Sequence, residues 1–205
     1  DSLPFPSRHL LPHKKYFSGV SDKKFITTMM TSRGCPFNCL FCYTKNRIFR
    51  ARSPENVIKE IKECIKMGIT EFELYDDTFT VNKQRSLKIA QKIIDEKLNI
   101  TWGCRARINT VDEELLRIFK KAGCVRINYG IESGNAEILR KIRKNITIEQ
   151  IEKVLKLTKK IGITSIAYFM IGFPEESKAQ IIETINFAKK IDPDYCLFCI
   201  TVPYP

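Results

Sequence analysis

The stretch TSRGCPFNCLFCYTKN (31–46) holds Cys35, Cys39 and Cys42 in the spacing C-x3-C-x2-C, with no fourth cysteine or histidine close behind. Thiolate is the soft ligand that iron–sulfur clusters and zinc take up. Three thiolates can hold three irons of a four-iron cube. The fourth iron is then open to a small molecule, as a catalytic metal site keeps one position free. Two other readings stand beside this one: a zinc site completed by a remote cysteine or histidine, and three plainly buried cysteines. The other five cysteines, Cys64, Cys104, Cys124, Cys196 and Cys199, read as packing residues. Cys196 and Cys199 alternate on a strand-like run and are expected to point to opposite faces. His9 and His13 lie in a proline-rich stretch and read as structural or exposed side chains.

The elements that must position the triad are visible as alternating patterns. Apolar, β-branched or aromatic runs occur at KFITTMM (24–30), EFELY (71–75), ITWGC (100–104), VRINYGI (125–131), SIAYFMI (165–171) and YCLFCITV (195–202). Each reads as a short parallel strand, apolar on both faces. Helical stripes lie between them: Val57, Ile58, Ile61 and Ile65; Leu115, Leu116, Phe119 and Ala122; Ile151, Val154, Leu155 and Ile161; Ile181, Ile185 and Ala188. Ser53 before Pro54 predicts a helix start. TVDE (110–113) and TIEQ (147–150) read as capping boxes. Gly68, Gly123 and Gly162 read as helix-terminating glycines. Six βα-type units in series argue for parallel strands with right-handed crossovers. A closed eight-stranded barrel needs about 250 residues, so this α/β chain is expected to form a partial (β/α)6 TIM-like barrel. The loops after its strands should line one mouth, and the cysteine triad directly follows the first strand.

The chain has 205 residues, enough for one domain with its own core. The formal net charge is +12, which raises nucleic acid as a partner. Lysines at helical spacing (Lys59, Lys62, Lys66; Lys153, Lys156, Lys159, Lys160) read instead as solvated helix backs, so nucleic acid is neither indicated nor excluded. No run of eighteen apolar residues and no signal pattern occurs, which makes a reducing cytoplasm the expected location. Residues 1–24, with DSLPFPSRHLLPHKKY, read as an extended lead-in to a core over 25–205. Both ends read as those of a fragment of a longer protein.

CPFNCLFC, with an aromatic beside its last cysteine, resembles the signature of the radical S-adenosylmethionine (SAM) enzymes, whose core is a six-unit partial βα barrel. That resemblance runs from about residue 25 to 205. It implies a [4Fe–4S] cluster on Cys35, Cys39 and Cys42 and SAM on the open iron, with Phe41 contributing backbone contact near the adenine. It implies reductive cleavage of SAM to a 5′-deoxyadenosyl radical that abstracts hydrogen from a substrate. A low-potential electron donor such as flavodoxin or ferredoxin would be a partner.

The same resemblance assigns further contacts. YDDTFT (75–80) stands where similar enzymes carry a glycine-rich segment for the methionine amino group. Asp76 and Asp77 replace those glycines here; a carboxylate can hold an ammonium, and an Asx-type turn is the other reading. Arg105 or Arg107 is placed to fork the SAM carboxylate, and a rim charge is the other reading of each. Glu132 would hold the ribose hydroxyls with help from Ser133, unless a lysine pairs with it. Ile171 and Gly172 would contact the adenine through their backbone. The acidic pair and the lead-in resemble the branch that carries a cobalamin-binding domain, which implies cobalamin in a full-length protein. An RNA-modifying radical SAM enzyme and an iron–sulfur electron-transfer module without SAM chemistry are the two other functional readings.

Overall fold

The computed structural model describes residues 1–12, 15–17, 19, 25–44 and 47–203. His13, Lys14, Lys24, Lys45 and Asn46 of the motifs quoted above lie outside the described residues. From β1 (Thr27–Met29) the chain passes through two-residue strands β2 (Ser32–Arg33) and β3 (Arg50–Ala51) into α1 (Pro54–Lys66). Units then follow in alternation: β4 (Glu71–Leu74), α2 (Lys83–Asp95), β5 (Thr101–Ala106), α3 (Glu113–Lys121) and β6 (Cys124–Glu132). Two helices, α4 (Ala136–Lys141) and α5 (Ile148–Ile161), precede β7 (Thr164–Ile171); α6 (Lys178–Ile191) and β8 (Tyr195–Ile200) end the series. The large sheet runs β1-β4-β5-β6-β7-β8 with every pairing parallel, while β2 and β3 pair antiparallel beside it. This is an α/β fold of the partial-barrel kind, with six strands and two open edges. No helix among the described residues is long and apolar enough to cross a membrane.

Local chemistry explains most boundaries. Ser53 Oγ accepts the amide of Asn56 at 3.2 Å and Pro54 fills the first turn of α1. Thr147 and Gln150 form the reciprocal box that opens α5. The expected box at Thr110 is displaced. Thr110 closes a 3₁₀ turn and its hydroxyl donates to the Arg107 carbonyl at 2.8 Å, so Asp112 caps α3 instead, accepting from Leu115 N at 3.0 Å. Gly68, Gly123 and Gly162 all have left-handed φ at the ends of α1, α3 and α5.

The core lies between the outer face of the sheet and the helices. Phe72, Trp102, Phe119 and Phe79 are fully buried there, and Trp102 donates its indole N–H to the Ala122 carbonyl at 2.8 Å. α1, α3 and α5 bury most of the expected stripes, with Ile65 and Ile161 half-buried at the helix ends. In α6 the buried residues are Thr184, Phe187 and Ala188, with Ile181 and Ile185 only half-buried. The helix is turned so that Phe187 covers Gly134, where a Cβ would meet the Phe187 side chain at 2.5 Å.

The inner face of the sheet is not the apolar surface that the six runs predicted. Arg126 on β6 is 2% exposed and bridges Glu71 at 2.7 Å and Glu73 at 2.8 Å, both on β4. Asn128 donates to Glu73 at 2.9 Å and to the Cys104 carbonyl at 3.2 Å. Buried charges persist only when paired in this way. β5 passes between these strands with Gly103, because a Cβ there would lie 2.6 Å from both Arg126 Cγ and Glu73 Oε2.

Candidate active site

The segment after β1 is pinned to the mouth of the sheet. Asp76, directly beyond β4, is fully buried and accepts three bonds, from Thr31 N at 2.6 Å, Thr31 Oγ1 at 2.5 Å and Ser32 Oγ at 2.6 Å. Asp77 Oδ2 accepts the Gly34 amide at 2.9 Å. Gly34 must be glycine: its φ is +82° and a Cβ would meet the Ile48 carbonyl oxygen at 2.3 Å. The chain so held delivers Cys35, Cys39 and Cys42 to one cavity of about 390 Å³ at the C-terminal ends of β5–β8.

The same cavity is walled by Phe41, Asp77, Arg105, Arg107, Glu132 and Lys144, from five separate places in the chain. Arg105 lies face-on over the Tyr75 ring at 3.6 Å, and no carboxylate pairs with it among the described residues. Arg107 is buried and donates Nη1 to Cys39 Sγ at 3.1 Å and Nε to Asn109 Oδ1 at 2.9 Å. Cys42 Sγ lies 3.0 Å from the Thr44 hydroxyl. Burial is the main influence on the Cys35 thiol and pushes its pKa up. Glu132 sits at a register shift of β6 with φ +75°, and Oε1 pairs with Lys144 Nζ at 2.7 Å. Both partners are nine-tenths buried, and Glu132 Oε2 has no protein partner among the described residues.

Four of the expected contacts stand elsewhere. Asp76 is spent on Thr31 and Ser32 and does not line the cavity; its bonds run to the segment after β1 and not to its own turn, so the Asx-type turn reading does not describe it either. Ser133 is fully buried behind the mouth, bonded to Thr184 Oγ1 at 3.1 Å. Ile171 and Gly172 lie beyond the rim, with the Gly172 amide donated to Glu176 Oε2 at 2.6 Å; Phe169 and Met170 form the wall in their place. The packing assignment is right for Cys64, Cys104 and Cys124, all fully buried. Cys196 and Cys199 are instead exposed, since β8 is the sheet edge, and Cys199 lines the cavity opposite the triad. His9 is exposed.

Lys144, Thr44, Asn128 and Tyr168 were not read from the sequence. Lys144 follows α4 in a turn, where one lysine among many carries no signal. Asn128 and Tyr168 occupy alternate positions on β6 and β7, and period-2 reading of those runs would have found them.

A parallel βα sheet with a three-thiol loop at its carboxyl edge, beside arginine and carboxylate, defines a class of cofactor-dependent enzymes. The model of the radical SAM superfamily matches residues 29–188. The chain belongs to that superfamily and is an enzyme of the radical SAM class. Among curated relatives, it is 42% identical to an uncharacterized methyltransferase of Pyrococcus horikoshii, across 100% of this chain and 45% of that protein. It is 30% identical to the anaerobic magnesium-protoporphyrin IX monomethyl ester cyclase of Rubrivivax gelatinosus, across 98% of this chain and 37% of that protein. The chain thus spans less than half the length of these relatives. In fold it is similar to the radical SAM methyltransferase TsrM of Kitasatospora setae, solved with cobalamin and a [4Fe–4S] cluster. The TM-score is 0.80 at 19% identity, covering 86% of this chain and 34% of that one. The cobalamin-dependent radical SAM enzyme OxsB matches at TM-score 0.69 and 23% identity, over 78% of this chain and 26% of that one.

Proposed function

We propose that this chain is the SAM-cleaving core of a cobalamin-dependent radical methyltransferase, with a [4Fe–4S] cluster on Cys35, Cys39 and Cys42. The observation that carries the reading is the shared cavity: three thiols, a free guanidinium and a paired glutamate wall one space of about 390 Å³. The donor set fits a cluster. Three soft ligands with an N–H or O–H aimed at two of the sulfurs are what a thiolate-ligated cluster takes. Among the described residues no three acidic, cysteine or histidine side chains converge on a single-ion site, whereas a cube offers a separate iron to each thiolate.

A cluster held by Cys35, Cys39 and Cys42 would supply the one electron that cleaves SAM at its ribose 5′-carbon to methionine and a radical able to take hydrogen from a substrate. The protein's part is to bind and orient SAM. Arg105 presents a guanidinium without a carboxylate and suits the SAM carboxylate. Asp77 keeps Oδ1 for the ammonium while Oδ2 holds Gly34. Glu132 offers Oε2 to the ribose hydroxyls while Lys144 balances its charge. Phe41, edge-on to Phe173 at 5.9 Å, closes the apolar side. An external low-potential carrier of the flavodoxin or ferredoxin kind supplies the electron, and cobalamin is carried by a part of the protein beyond this core. The relative named as a methyltransferase and the cobalamin-bound neighbours support the methyltransfer reading without naming the substrate.

Anaerobic reconstitution is expected to give about four irons per chain. Incubation with dithionite and SAM should then release 5′-deoxyadenosine, read by chromatography. Alanine at any one of Cys35, Cys39 or Cys42 should abolish the visible absorption, and Cys196→Ala should keep it. A cluster that survives the triple loss, or no deoxyadenosine from the loaded protein, would refute the reading.

A further inference from the structure

We infer that Arg107 is a positioning residue that sets the reduction potential of the cluster through one charged hydrogen bond to Cys39. The inference rests on the assignment of the cluster to the three cysteines and concerns how unequally their sulfurs are treated. Cys39 is 5% exposed, and its sulfur accepts Arg107 Nη1 at 3.1 Å inside the protein. Among the described residues, Cys42 meets a neutral hydroxyl, that of Thr44, at 3.0 Å. Cys35 has a neutral backbone hydrogen bond at Phe37 and Thr78 Oγ1 at 3.8 Å, and the proton of that hydroxyl is already given to the Asp77 carbonyl at 2.7 Å.

The guanidinium is fixed from three sides. Nε is held by Asn109 at 2.9 Å, the plane lies over Phe37 at 4.3 Å from the ring centre, and Nη1 reaches the sulfur. No carboxylate forms an ion pair with it among the described residues, so its charge acts on the thiolate undiminished. Reduction by an external donor adds one electron to the cluster and makes it more negative. A buried cation in contact with a ligand sulfur stabilises that state more than the oxidised one and raises the potential. A neutral hydroxyl does the same more weakly. The expected order of influence is Arg107, then Thr44, then Thr78.

The test is a redox titration of the reconstituted protein without SAM, followed by electron paramagnetic resonance, with iron content as the loading control. At the wild-type midpoint, Arg107→Met should lower the reduced-to-oxidised ratio about tenfold, which is ~59 mV for a one-electron couple. Arg107→Lys, which keeps the charge without the fixed fork, should fall between the two. Thr44→Val should shift the ratio less than Arg107→Met, and Thr78→Val not at all. A fully loaded Arg107→Met with an unchanged ratio overturns the inference. If Arg107→Met loads poorly, Arg107→Lys at the Thr78→Val value overturns it as well. Failure of the wild-type chain to take up iron sinks the cluster assignment itself, a result separate from either.

Discussion

Arg105 stacks on Tyr75 and meets no carboxylate among the described residues, whereas Arg107, two residues on, is held by Asn109, Phe37 and Cys39. Sequence alone could not separate them, because the distinction lies in partners as distant as residues 39 and 75. Arg105→Met should weaken SAM binding to the reconstituted protein by about 1.5–3 kcal/mol, the worth of a hydrogen bond to a charged group. That is roughly ten- to hundredfold in Kd by calorimetry. A loss of that size at Arg107→Met, with Arg105→Met unaffected, would reverse the roles. Glu132 and Lys144 make a second residue-scale test. Lys144→Met leaves a carboxylate 7% exposed and unpaired, and should cost about 3–5 kcal/mol in urea unfolding of the metal-free chain. Adding Glu132→Gln should restore most of that, because the cost lies in the orphaned charge. No recovery in the double variant would mean that Lys144 matters through packing. Glu132 itself was legible, since it closes a strand at the mouth. Its left-handed backbone was not: a non-glycine residue at φ +75° declares itself only in three dimensions.

Strands were the most legible elements, because a βα crossover covers the outer face of each one and leaves an apolar run behind. What the runs hid was their second face. EFELY and VRINYGI contain Glu71, Glu73, Arg126 and Asn128 at alternate positions, a polar stripe that counted as noise until pairing joined the strands. Helix α2 went unread for a related reason: its buried side includes Arg85 and Ser86 beside Ile89, Ala90 and Ile93, so the apolar stripe is short. Six-residue α4 and the two-residue strands β2 and β3 offer too few positions for any period to show. Gly103 is the hinge of the hidden face. Gly103→Ala would force a methyl into the Arg126–Glu73 contact, and overpacking of this kind costs about 1–3 kcal/mol. Thermal melting should show the loss. An unchanged melting temperature would mean that the ion-pair layer is loose enough to part.

Across the whole molecule, two fully buried thiols, Cys64 and Cys104, are kept neutral by the same core that supports the mouth. Burial pushes Cys64 from an ordinary 9.0 up to about 11, and raises Cys104 and the Tyr129 phenol as well. The folded chain therefore holds these protons at pH values where the unfolded chain has released them. Stability from this source is full below about pH 9 and is lost as pH climbs toward 11. Lysine neutralisation works in the opposite direction over the same range, because the net charge of +12 falls and self-repulsion eases. The two are separable by a difference measurement. Cys64→Ala removes one buried thiol and leaves every lysine in place, so its stability should decline less steeply than wild type between pH 9 and 11. Its absolute stability should be lower throughout, from the small cavity left beside Val57 and Ile61 in α1. Urea unfolding of both proteins, metal-free and under reductant, at half-unit steps from pH 8 to 11 reads the two slopes. Parallel curves would show that Cys64 ionises in the folded state as easily as in the unfolded one. In that case the core around α1 admits water, and the support beneath the cysteine loop is less tight than its burial indicates.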